Sequence, residues 1–151
     1  MDAKKSIEAL QFFITNLNAQ AFSHKLQARI FGAQGLKKLE EKYLEHATEE
    51  SGYVDQFIGR LIDLGGELKQ EAVAAQPLIA NPIDYIKADN KVSADGIEML
   101  RKCIDSIKDD LTTFDIMKEY LKDEEQDMYW TDAQLQLINC IGAQNWIIQQ
   151  L

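Results

Sequence analysis

Residues 28–66 read ARIFGAQGLKKLEEKYLEHATEESGYVDQFIGRLIDLGG. From Leu36 the core positions recur in steps of three and four through Leu39, Tyr43, Ala47, Glu50, Val54, Phe57, Leu61 and Leu64. That is the stripe of an amphipathic helix and not the two-residue alternation of a strand. Gly32 and Gly35 precede the stripe and Gly65-Gly66 closes it, because glycine readily leaves the right-handed helical conformation. Upstream, a second stripe through Ile7, Leu10, Ile14, Leu17, Ala21, His24, Ala28 and Phe31 ends at the same glycines. Two such helices separated by so short a turn bury their stripes against each other, which predicts a long antiparallel hairpin.

Residues 67–81 are weakly patterned, contain Pro77 and are long enough to carry the chain from one end of a bundle to the other. Asn81-Pro82 reads as a cap and first helical position. A third stripe follows through Ile86, Ser93, Ile97, Leu100, Ile104, Ile107 and Leu111, with Asn90 on the same face. Thr112 with Asp115 resembles a capping box, and a fourth stripe runs Met117, Leu121, Glu124, Met128, Thr131, Leu135 and Ile138. Gly142 interrupts it, and Ala143 to Leu151, with Trp146, predicts a short fifth helix. The expectation is an all-α chain: two helical hairpins joined by one long crossover, in a single domain over residues 1–151.

The 151 residues include 16 basic and 25 acidic side chains, for a formal charge of −9. Such a field repels phosphate backbones and anionic lipid and attracts cations, so nucleic acid is not an expected partner. Apolar runs fall far short of the roughly 20 residues that cross a bilayer, so no membrane partner is expected. The charged start, Met1 to Ser6, leads straight into the amphipathic pattern with no signal-peptide core, which predicts a cytoplasmic location. Two cysteines and two histidines satisfy no fixed-spacing Cys/His metal signature, so any metal must be held mainly by carboxylates.

His24, Glu50 and Glu124 fall on apolar stripes, where an unpaired charge is costly. Counting from the Gly35 turn at about 1.5 Å per residue, Leu17 and Glu50 stand within about a turn of the same height, and His24 about 6 Å from Glu50. Two inward glutamates and a histidine on different helices can bridge a divalent cation such as iron, manganese or zinc, with Asp127, one turn beyond Glu124, as a further ligand. The alternative is that these groups share protons or hydrogen bonds, and for His24 alone a satisfied core histidine is the simpler state. His46 is expected to be solvated or at an interface, since Ala47 takes the stripe. Ser23-His24 is no catalytic dyad, because adjacent helical side chains diverge by about 100°. Cys103 and Cys140 are offset by about 28 Å along their helices, too far for a disulfide, and each reads most simply as a small buried residue, the alternative being that one is an interface or redox thiol.

Ala28-Arg29-Ile30-Phe31 through Gly35-Leu36-Lys37-Lys38-Leu39, then Glu50, Asp55, Ile58, Arg60 and Gly66, resemble the first hairpin of the ferritin-like family, bacterioferritins most closely. Asp123-Glu124-Glu125-Gln126-Asp127 with Trp130, then Ile141-Gly142-Ala143-Gln144-Asn145-Trp146, resemble their fourth and fifth helices. Arg60-Leu61-Ile62-Asp63-Leu64-Gly65-Gly66 is also similar to the Dps mini-ferritins. The resemblance implies an up-down-down-up bundle, a homo-oligomeric hollow shell of two dozen or one dozen subunits, and storage of iron oxidised at a di-iron centre. Glu50 and Glu124 match its two bridging glutamates. The histidine positions hold Tyr53 and Asp127, the first-helix glutamate is Leu17, and the third-helix glutamate is Ser93, or Asn90 or Lys91 if a gap falls later. The family's tyrosine near the site becomes His24, which can substitute as a ligand.

The resemblance therefore implies an iron-binding subunit, or one for another divalent metal, with a degenerate or rearranged centre built from Glu50, Glu124, Asp127, His24 and Tyr53. Ferroxidase activity by resemblance is tempered by these altered ligands, and the alternative is a structural or interaction protein that assembles without metal. The haem-ligating methionine corresponds to Ser51, so no haem is expected. Asp55 matches a Dps metal-binding aspartate, but the glutamate four residues on is Gly59.

Overall fold

The computed structural model describes residues 2–151. It contains α1 (Ala3–Ala33), α2 (Lys37–Asp63), α3 (Pro82–Ser106), α4 (Leu111–Ile141) and α5 (Ala143–Ile148), and no strand among the described residues. This is the all-α bundle the stripes predict. α1 packs chiefly on α2 and α3 on α4, with the crossover between the two hairpins. No helix is long and apolar enough to cross a membrane among the described residues.

The hairpin turns follow from glycine. Gly35 adopts φ 83° and Gly65 φ 75°, left-handed values that other residues rarely reach. They let Leu36 N–H reach back to the Phe31 carbonyl at 2.9 Å and Gly66 N–H to Leu61 at 3.0 Å, closing α1 and α2. At α3 the expected cap is present, with Asn81 Oδ1 accepting from Ile83 N–H at 3.0 Å and Asp84 N–H at 3.1 Å.

At α4 the structure corrects the sequence reading. The N-cap is Asp110, which accepts from Thr113 N–H at 3.3 Å, and the expected Thr112–Asp115 box does not form the cap. Asp110 wins because Arg60 of α2 donates Nη2 to its Oδ1 at 2.7 Å and Nε to Thr113 Oγ1 at 3.0 Å. Leu111, placed on the third stripe, is instead the exposed first residue of α4. Burial would raise the Asp110 carboxyl, but hydrogen bonds from Thr113, Ser6 and Arg60 outweigh it and hold the group at about 2. A carboxylate depressed in the folded state adds stability above its unfolded value near 3.8, and that stability is lost as pH falls towards 2. Asp110→Ala should therefore cost about 1–2 kcal/mol near neutral pH, mostly as a lost cap, and far less at pH 2. Urea midpoints at the two pH values measure the difference.

The crossover, residues 67–81, has no helix, so its backbone polar groups need other partners. Two α1 glutamines and Gln34, the residue that follows α1, supply several. The Gln11 amide donates to the Lys69 carbonyl and accepts from Lys69 N–H, both at 3.0 Å. Gln27 does the same with Ile79, at 2.6 and 3.2 Å. Gln34 donates to the Ala80 carbonyl at 2.6 Å. A side-chain amide thus mimics a strand partner at both ends of the crossover, which fixes the approach of α3 to α1.

The core divides in two. One apolar cluster includes Leu10, Phe13, Leu17, Phe57, Leu61, Leu100 and Met117. The other includes Phe31, Leu39, Tyr43, Tyr85, Ile86 and Trp146. The buried polar groups His24, His46, Glu50, Asp89 and Glu124 belong to neither cluster. The cysteines depart from expectation, for Cys103 is half-buried and Cys140 exposed, both free. On α4 it is Leu137, Ile138 and Ile141 that pack on the second cluster, and Cys140 is turned off that face by the helical period.

Candidate metal centre

On α1, Gln20 and His24 are four residues apart and share a face. Gln20 Nε2 donates to Glu50 Oε2 at 2.7 Å. His24 Nδ1 lies 2.5 Å from Glu50 Oε1, and its Nε2 lies 2.8 Å from Asp89 Oδ1 on α3. Tyr43 of α2 donates its hydroxyl to Asp89 Oδ2 at 3.0 Å. With a carboxylate oxygen on each ring nitrogen, the bridge needs two protons. Burial works against a charged imidazole, but Glu50 and Asp89 more than offset it and raise His24 well above its ordinary value. The imidazolium is the form this geometry selects.

Across the bundle, Glu124 of α4 is 4% exposed, and its Oε1 has no hydrogen-bond partner among the described residues. Burial first, and the Glu50 charge second, push Glu124 up to about 8. Burial, then Asp123 and Glu124, push Asp127 up to about 9. Oxygens of Glu49, Asp123 and Asp127 all lie within 4.8 Å of one another, on the facing helices α2 and α4. Asp123 Oδ2 is also buried without a partner.

His46 corrects the sequence reading most sharply. It is 1% exposed, not solvated, and packs edge-on against Tyr43 and Trp130 with centroids 5.2 and 5.6 Å apart. Its Nε2 lies 3.5 Å from Asp127 Oδ1, yet neither ring nitrogen has a hydrogen bond among the described residues. Burial, then the His24 charge, lower it to about 4, so it is a neutral imidazole with a free lone pair beside a carboxyl.

Of the residues singled out from sequence, Glu50 and His24 meet on the axis, and Glu124 and Asp127 lie on α4. Tyr53 borders the α2–α4 flank, where burial and then the charges of Asp123, Glu119, Glu49 and Asp127 raise its hydroxyl; its ring lies against Tyr120 at 5.4 Å and its hydroxyl 3.4 Å from the Glu119 carbonyl. Leu17 sits in the first apolar cluster. Ser93 is buried, but the third-helix carboxylate is Asp89, one turn earlier. Asn90 instead donates to Thr131 at 2.9 Å and Asp132 at 2.8 Å. Ser51 is exposed on the outer α1–α2 groove beside Phe22 and Leu44, and offers only a hydroxyl.

Asp89, His46, Glu49, Asp123 and Gln20 were missed. A signal existed for two of them. Asp89 lies between Ile86 and Ser93 at steps of three and four, and His46 lies between Tyr43 and Glu50 in the same way. In each case a neighbour, Asn90 or Ala47, fits the stripe equally well.

The donor chemistry differs between the two halves of this region. The oxygens of Glu50 and Asp89 all face protein donors, which is a poor fit to a resident metal. The α2–α4 flank offers the three clustered carboxylates, oxygen donors suited to iron, manganese or zinc, with the unpartnered His46 imidazole 3.5 Å from Asp127.

Raised carboxyls also set the pH response. The folded state binds protons that the unfolded chain releases near 4.5, so stability should fall as pH rises from about 4.5 towards 8. Glu124→Gln should flatten that slope and raise the melting temperature at pH 8, as thermal scans across this range would show.

The ferritin-like domain family matches residues 7–141. A bacterial ferritin of Neisseria meningitidis serogroup B is 32% identical over 129 residues, 83% of each chain. A bacterial ferritin of Pseudomonas aeruginosa is 27% identical over 148 residues, 96% of each chain, and a bacterioferritin of Rhodobacter capsulatus is 23% identical over 116 residues, 76% of this chain and 72% of its own. With the bundle and the carboxylate-rich site already described, this chain belongs to the ferritin-like family.

Proposed function

We propose that the chain is one ferritin-like domain, residues 1–151, acting as a cytoplasmic subunit of a homo-oligomeric shell that binds and stores iron through a rearranged centre. Iron enters as the substrate. The observation that carries this reading is the set of buried, unpartnered atoms on the α2–α4 flank: both nitrogens of His46, Glu124 Oε1 and Asp123 Oδ2. Leaving such atoms unpaired is costly, and a cation held among Glu49, Asp123 and Asp127 would give Asp123 Oδ2 the partner it lacks. The names of the relatives agree with storage. Ser51 supplies no soft ligand to haem iron, so haem has no part in the proposal.

Aerobic Fe(II) loading followed by gel filtration tests it. The expected result is many iron atoms per subunit in a large particle, with slower initial uptake in Asp123→Asn with Asp127→Asn. A second reading has its own support, since the His24 bridge leaves the axis satisfied without metal. If the chain is only a structural subunit, the particle stays large, retains no iron, and the double substitution changes nothing but stability.

A further inference from the structure

Three carboxylates on three helices, Glu50, Asp89 and Glu124, are buried in the polar region between the two apolar clusters. In water-poor surroundings such a group needs positive charge or protons. A divalent cation would take one oxygen from each of several carboxylates. Here the His24 ring does the equivalent with two, at 2.5 Å from Glu50 and 2.8 Å from Asp89. The remaining oxygen of Glu50 faces the Gln20 amide at 2.7 Å, and that of Asp89 faces the Tyr43 hydroxyl at 3.0 Å. All four oxygens are therefore satisfied by the chain itself. Leu17, two turns before His24 on the same face of α1, is 2% exposed in the first apolar cluster and offers no ligand atom.

We propose that the His24 ring takes the place of a metal ion on the bundle axis, so that this position is closed to cations in the native subunit. The inference rests on the reading above only in placing the subunit's cation on the flank, and the two are separable. A metal entering the axis would have to break the contacts to both ring nitrogens and displace an aromatic side chain that is 5% exposed. Removing the ring frees one oxygen each of Glu50 and Asp89 and leaves Glu124 within reach of the vacated space. An acquired cation site is then the consequence, with Glu50, Asp89 and Glu124 as its ligands.

The test is equilibrium dialysis of the purified protein against Mn²⁺ at neutral pH. Wild type is expected to bind one Mn²⁺ per subunit and His24→Ala two, and Glu50→Gln in the His24→Ala background should return the count to one. His24→Asn is smaller than histidine and keeps a hydrogen-bonding group. It should show the same gain and provides the measurement if His24→Ala does not fold. A count of zero in wild type and one in His24→Ala supports the His24 inference while removing the flank site. Equal counts in wild type and both His24 variants would overturn the inference, whatever their common value.

Discussion

Trp146→Ala should lower the unfolding free energy by about 3–5 kcal/mol, the range for losing a large aromatic side chain from a packed core. Trp146 is fully buried in the cluster with Phe31, Leu39, Tyr43 and Tyr85, and its indole N–H donates to Gln134 Oε1 at 3.0 Å. α5 has six residues, too few to be stable apart from the bundle, so Trp146 is what holds it there. The loss propagates to α2. The N-cap residue of α2, Leu36, offers no side-chain bond, and Lys38 N–H donates instead to the Gln150 carbonyl at 3.0 Å. A detached C-terminal segment therefore uncaps a helix of the first hairpin. Urea or guanidinium midpoints measure the cost, and a loss below 1 kcal/mol would mean that α5 is dispensable to the fold.

Glu50→Ala is the second large effect, about 3–5 kcal/mol, because it removes one partner of a buried ion pair and strands the other. His24 would keep only Asp89, and the Gln20 amide would lose its acceptor. His24→Leu combined with Glu50→Leu should cost less than the sum of the two single leucine changes, since His24 and Glu50 then no longer strand each other and only Asp89 loses a partner. A double-mutant cycle in chemical denaturation reads the coupling. Strict additivity would show that the 2.5 Å contact contributes nothing to the folded state.

The fold was legible because it depends on repetition. Dozens of stripe positions agree on period and length, and glycines at 35, 65 and 142 adopt the positive φ values expected of helix ends. The cap of α4 was less legible, since Asp110 and Thr113 are selected by Arg60, fifty residues away in sequence. In the site, the sequence identifies Glu50 and Glu124 as inward because an acid on an apolar stripe stands out. It does not distinguish Asp89 from Asn90 or His46 from Ala47, because one residue of rotation is within the width of a buried face. Nor does it show that a histidine bridges two acids, since the bridge joins α1, α2 and α3 and exists only after packing. Tyr53, a residue at a ligand position, borders the Glu49, Asp123 and Asp127 flank with its hydroxyl 3.4 Å from the Glu119 carbonyl, a placement that only packing decides.

The central claim is that cations belong on the α2–α4 flank and not on the bundle axis. An anomalous difference map from crystals grown with Mn²⁺ addresses it directly. The expected result is a peak among Glu49, Asp123 and Asp127. A peak between Glu50, Asp89 and Glu124, with the His24 ring swung aside, would contradict the account.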